Sequence, residues 1–196
     1  MSLFSGISNA ESSNKSEFYN GGELYVVRLS GHEMRESKNP KNPGVTFVYA
    51  RANVLETSDP SRPAGTGVVE MFKLKPAMNE KQNLTVNGPA LSRLRAHGEA
   101  VYRAMLEQKR DSGDKDFADL TDEQIQAEVD GMSADDEQFD AFFQSLTNAN
   151  AGRDIVLGVS TTAITLKDGG DFTQITYTTD VESIRALIAQ RKAEAA

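Results

Sequence analysis

The sequence predicts a small protein, mainly β with α: a five-stranded Greek-key barrel with a helical insertion between strands three and four and a C-terminal helix. Three observations lead there. Period-two apolar patterns recur in five short runs bounded by Gly, Pro and Asn. Between the third and fourth runs, from Pro89 to Leu146, the spacing changes to three and four residues. A last helical pattern follows Asp180. The 196 residues suffice for one packed domain of this kind.

Residues 1–20 are Ser/Asn-rich and read as a flexible N-terminal arm from which Leu3, Phe4 and Ile7 could dock, without the basic start and apolar block of a secretory signal. The barrel domain spans 21–180, its acidic helical insertion lies at about 85–148, and 181–196 form the final helix. The first strand runs from Leu24 to Leu29, entered through two glycines. "RESKNPKNPG" (35–44) is a loop, on the strength of Pro40, Pro43 and Gly44. "GVTFVYARANVLE" (44–56) is the second strand. Val48, Ala50, Ala52 and Val54 give it one apolar row, while Phe47, Tyr49, Arg51 and Asn53 occupy the other face. In the third strand, "VVEMFKLK" (68–75), Glu70 shares a face with Val68, Phe72 and Leu74, which a bulge or a strand end would explain.

Pro89 fits the first turn of a long helix that reaches about Arg110 and carries Leu91, Leu94, Gly98, Val101 and Met105 on one face. Thr121–Gln124 and Ser133–Asp136 read as capping sequences of two shorter helices. Phe139, Phe142, Phe143 and Leu146 line one stripe of the second, a packing surface against the body. Strands four and five, at 153–166 and 172–179, flank the turn Lys167–Asp171, and Asp180 caps the last helix. Five strands interrupted by helix after the third suit a barrel of the OB type, whose second and third strands form a nucleic-acid surface with the flanking loops.

The net charge of −8 is unevenly spread. Residues 1–110 hold 15 Lys/Arg against 11 Asp/Glu, whereas 111–140 hold 12 acids and one base, Lys115. A mildly basic body therefore accompanies an acidic segment, and the whole-chain charge does not exclude a polyanionic partner. No apolar run approaches membrane-spanning length, and the absence of cysteine excludes disulfides and thiolate chemistry. A cytoplasmic location is expected.

Enzyme chemistry finds no constellation. The two histidines, His32 and His97, are 65 positions apart, and His32-Glu33 lacks the partner histidine of a zinc helix. His97 reads as a partly exposed helical residue rather than a metal ligand. "PAGTGVV" lacks the Gly-Lys-Ser/Thr ending of a phosphate loop, and the run from Asp114 fails as a calcium loop at Ala118, Asp119 and Ile125. No catalytic residue, metal or cofactor is expected.

What remains surrounds the second and third strands. Phe47, Tyr49 and Arg51 project together. Lys73 and Lys75 end the next strand, Arg35, Lys38 and Lys41 load the intervening loop, and Arg28 lies on the first strand. Single-strand binders combine a cationic groove for phosphates with aromatic faces on which bases stack. The competing expectation is that Phe47 and Tyr49 pack beneath the long helix or in a dimer interface.

The layout from Gly21 to Thr179 resembles the OB-fold single-stranded DNA-binding proteins of bacteriophages, the T7-like replication proteins and related phage families. The stretches that carry it are "GGELYVVRL", "ESKNPKNPGVTFVYARANVLET", "GTGVVEMFKL" and "GRDIVLGVSTTAITLKDGGDFTQITYTT". The resemblance implies a non-catalytic, sequence-tolerant protein that coats single-stranded DNA during phage replication or recombination in the host cytoplasm. It implies single-stranded DNA as partner, with replication or recombination proteins and a second copy of the chain as candidates beside it. Replicative members end in an acidic tail with a terminal aromatic; "RKAEAA" departs from that, and the acidic 111–140 stretch is the segment left for a competing role. The alternative function is a β-rich virion or protein-interaction module that binds no nucleic acid.

Overall fold

A computed structural model describes residues 3–10, 15–16, 19–165 and 171–194. It is a mixed α/β structure. The strands are β1 (Lys15–Ser16), β2 (Leu24–Glu36), β3 (Thr46–Thr57), β4 (Gly67–Leu74), β5 (Val156–Thr165) and β6 (Asp171–Thr178). They hydrogen-bond in the order β1-β6-β5-β2-β3-β4. Five long antiparallel strands thus make one sheet, and two-residue β1 caps the edge of β6 at Gln174 and Thr173. The sheet is open: among the described residues, backbone pairing stops at β4 on one side. Backbone pairing by itself does not close the sheet into the five-stranded barrel expected from the sequence. The β5–β6 hairpin runs in register from Gly158↔Thr178 to Thr165↔Asp171; residues 166–170 of its turn lie outside the described residues.

Four α-helices complete the fold: α1 (Glu80–Asp111), α2 (Asp122–Ser133) and α3 (Asp136–Asn148) between β4 and β5, and α4 (Val181–Glu194) at the end. Backbone contacts divide the chain into two units. The first is drawn from Met1–Ser13, Gly31–Tyr49 and Met71–Gly152, the second from Asn14–Ser30, Ala50–Glu70 and Arg153–Ala196.

In the first unit α1 starts nine residues before Pro89, so the expectation that Pro89 opens it is corrected. The start signal is Asn79, whose side chain accepts from the Gln82 N–H at 2.9 Å. An interior proline costs a helix about 3 kcal/mol. Polar contacts made by the turns before it hold them in place. Asn83 Nδ2 donates to the carbonyls of Leu3 and Ser5, and Asn87 exchanges two hydrogen bonds with the Lys75 backbone. Asn83 is buried, so the formal glycosylation signal Asn83-Leu84-Thr85 has no accessible acceptor.

The Phe139 stripe packs as expected, and its partner is unexpected. Phe4 is fully buried, 5.8 Å from Phe139 and 5.1 Å from Phe143 by ring centroids. Arg95 Nη1 donates to the carbonyls of Ser8 and Ala10, and the Asp136 carboxylate accepts from the N–H groups of Gly6 and Ser8. Residues 3–10 are therefore docked on α1 and α3, which corrects the flexible arm for those residues and answers the docking expected of Phe4 and Ile7. Thr121 caps α2 in a full capping box as expected, but Asp135 rather than Ser133 caps α3. The acidic stretch supplies the outer faces of α2 and α3, while Ile125 and Val129 pack on Leu106.

In the second unit α4 lays Ile184 and Ile188 against Leu24 and Val26. Gly158 makes this possible, since a Cβ there would sit 2.6 Å from Ile184. Asp180 caps α4 through the Ser183 N–H, as expected. Asp59 is buried and accepts from Tyr25 Oη (2.7 Å), Ser61 and Asn20. Burial alone would raise its pKa, and those donors together hold it below the usual carboxylate value. The alternation of β4 runs through Glu70 without a break. Glu70 is buried in the core-facing row and accepts from Tyr177 Oη at 2.6 Å, so neither a bulge nor a strand end is needed.

Candidate nucleic-acid interface

The β3 segment of the first unit behaves as its pattern requires: Val48 is buried, while Phe47 and Tyr49 on the opposite face are only half-buried. Their rings form a near-parallel pair, centroids 6.2 Å apart and planes inclined by 28°. Positions i and i+2 on one strand face produce this spacing. They do not disappear beneath α1.

β2 and β3 are joined by a loop built from short turns. The Ser37 N–H donates to the Val45 carbonyl at 2.7 Å, closing its base. Asn39 Oδ1 accepts from the Lys41 N–H, and the Asn39 N–H donates to Ser37 Oγ. Gly44 adopts φ +68°, a left-handed conformation open to glycine at little cost. Lys38 and Lys41 stand exposed on this loop.

Arg35, at the end of β2, is exposed and ion-paired with Glu33, which sequence reasoning passed over. The hydrogen bond to Glu33 raises the Arg35 pKa first of all, with a smaller contribution from Tyr49. Arg35 thus belongs with the aromatic pair, partly neutralised by a neighbour. The signal for Glu33 was available: i and i+2 on a strand share a face. Lys73 is exposed between buried Phe72 and Leu74. Lys75 is exposed just beyond β4, where Asn87 fixes its backbone with bonds of 2.8 and 2.9 Å. Arg28 and Arg51 are both exposed, and both belong to the second unit. Arg28 sits opposite Val156 in the β2–β5 ladder.

The first unit therefore assembles Phe47, Tyr49, Arg35, Lys38, Lys41, Lys73 and Lys75 from four of the chain's segments. Chemically this is a pair of aromatic rings and five cations within one unit, with Glu33 paired to Arg35 and Glu36 exposed beside it. It holds no nucleophile–base pair, and among the described residues no three His, Cys, Asp or Glu side chains converge on a metal position. No helix is long and apolar enough to cross a membrane. The chain matches no family model, no curated protein and no solved structure.

Proposed function

We propose that this protein binds single-stranded DNA without catalysis and with little regard to sequence, through the aromatic face of β3 and the lysine loop before it. The observation that carries this is the near-parallel Phe47–Tyr49 ring pair, half-exposed on β3 in the same unit as Arg35 and the loop lysines. Every base has a π-face, so an aromatic platform stacks bases of any sequence at about 1–3 kcal/mol each, while lysines track the phosphates. We further propose an OB-type, partly open barrel. The strand order β6-β5-β2-β3-β4 rolls into such a barrel when its two outer strands meet. The Tyr177–Glu70 hydrogen bond joins side chains of those two strands and supports the reading. The helices between β4 and β5 occupy the place of the OB connecting helix. Coating of single strands in phage replication or recombination is the role that the resemblance adds to this chemistry.

The test is fluorescence anisotropy with labelled oligo-dT, a matching duplex and oligo-U at two salt concentrations. The expected outcome is tight single-strand binding that weakens as salt rises, because each neutralised phosphate releases counterions. Binding indifferent to salt, or equal for duplex, would overturn it. A defined oligomer that ignores oligonucleotide in light scattering would point instead to a protein-interaction module.

A further inference from the structure

The chain's two histidines, 65 residues apart, meet in the core of the first unit. His32 on β2 and His97 on α1 are 4% and 2% exposed, and their Nε2 atoms lie 2.8 Å apart. The expectation of a partly exposed His97 is thereby corrected. Their surroundings are aromatic: Phe143 stands edge-on to His32 at 5.8 Å, and Phe72 lies 5.9 Å from His97.

We propose that His32 and His97 form an acid-sensitive latch that fastens β2 to α1 while both imidazoles are neutral. At 2.8 Å only one hydrogen fits between the two Nε2 atoms, so one ring donates and the other accepts with its own proton on Nδ1. The donor ring can take another proton only at Nδ1, and His32 Nδ1 is buried with no hydrogen-bond partner among the described residues. A proton on the accepting Nε2 would set two N–H groups against each other. Either event separates the rings.

Charged groups on the packed elements are engaged elsewhere or exposed. On β2, Glu33 pairs with Arg35. On α1, Arg93 lies over the Phe72 ring and donates to the Met71 carbonyl, and Arg95 pairs with Glu99. On α3, Asp136 holds the backbone of residues 6 and 8, and Asp140 meets Gln144. On β4, Lys73 is exposed and Glu70 meets Tyr177. Residues 3–10 carry no ionisable side chain. Burial lowers the His32 pKa from 6.5 to about 4, and it holds His97 well below its ordinary value too, with repulsion from His32 adding to burial. A basic group depressed in the fold is charged first in the unfolded chain. Stability is therefore full above pH 6.5 and declines as pH falls towards 4.

The experiment needs no variant, because a long-range ¹⁵N–¹H imidazole spectrum of the intact protein contains only these two rings. The expected result is one Nε2–H and one Nδ1–H tautomer at pH 7.5, neither ring titrating near 6.5. Across pH 6.5 to 5 the Tm should fall by roughly 5 °C or more per unit, since two proton uptakes are linked to unfolding. An imidazole titrating near 6.5 with tertiary signals intact would overturn the latch, as would a flat Tm over that window. His97→Phe and His32→Phe should flatten the profile if they fold. The wild-type spectrum decides the matter if they do not. The outcome is independent of oligonucleotide binding, which can fail with the latch intact.

Discussion

Replacing Phe47 and Tyr49 by leucine separates stacking from folding. Leucine keeps most of the apolar contact of two half-buried rings and removes their aromatic faces, their mutual contact at 6.2 Å and the Tyr49 hydroxyl. That ring pair contributes about 0.5–1.5 kcal/mol. A shape change of this kind at half-buried positions adds less than about 1.5 kcal/mol. At about 2–4 °C per kcal/mol, each variant should lose no more than roughly 12 °C of Tm. Binding should suffer more. Losing about 1–3 kcal/mol of stacking per ring weakens oligo-dT affinity about 5- to 150-fold. The slope of log K against log salt should stay where it was, because the phosphate contacts remain. Lys38→Gln and Lys41→Gln should do the reverse, leaving stacking intact and lowering the slope by about 0.7 for each lost phosphate contact. The assays are anisotropy titrations over a salt series and a thermal melt. Unchanged affinity in the double leucine variant would refute stacking. A fall in Tm far beyond that limit, with affinity lost in step, would place the rings in the core.

Phe4→Ala should destabilise the protein by about 3–5 kcal/mol in a urea titration, since the ring is fully buried between Phe139 and Phe143. A change near zero would restore a loose arm. Gly98→Ala puts a Cβ 2.8 Å from the Phe139 ring, itself stacked on Phe143, and should cost up to about 2 kcal/mol after the gain in helix propensity. Gly131→Ala, with open space around it in α2, should stabilise by about 0.5–1 kcal/mol in the same melt. Asn87→Ala leaves the Lys75 N–H and C=O without their partner, costs about 1–3 kcal/mol, and should speed hydrogen exchange at that amide. Asp59 and Asp136 both have lowered pKa values, although burial, the largest influence on each, opposes this. Donors from Tyr25 and Ser61, and from Ser8 and Gly6, outweigh it. Their stabilisation is full above the ordinary carboxylate pKa and is lost only as pH falls through the lowered values. Acid titration should therefore show a second loss of Tm below about pH 4, removed in part by Asp136→Asn.

Strands were the most legible part of the chain because their information is local. The row Val48, Ala50, Ala52, Val54 identified the buried face of β3, and buried face and aromatic face fell where alternation put them. Phe139 to Leu146 gave away α3 in the same manner. Where pairing is remote, pattern was silent. Nothing near His32 announces His97, and Glu70 looked misplaced because its partner, Tyr177, is 107 residues away. Pro89 misled because a proline rule weighs only the backbone, while Asn83 and Asn87 hold the preceding turns through contacts to other segments. The start at Asn79 was readable, since Asn-x-x-Gln is a capping sequence. Leu3, Phe4 and Ile7 stood out as apolar residues that could dock, but eight residues are too few to show a period or name the surface that receives them.

Docking residues 3–10 on α1 and α3 also sets a timetable for synthesis. The Gly6 N–H finds its acceptor 130 residues later, at Asp136. At about 5–20 residues per second, the ribosome delivers that acceptor many seconds after Phe4 has left the tunnel. Until then Phe4 and Ile7 are uncovered, and the helices that will hold them do not yet exist. A segment made long before its partners is among the last to be seated. Closure over so long a loop slows folding without greatly costing stability.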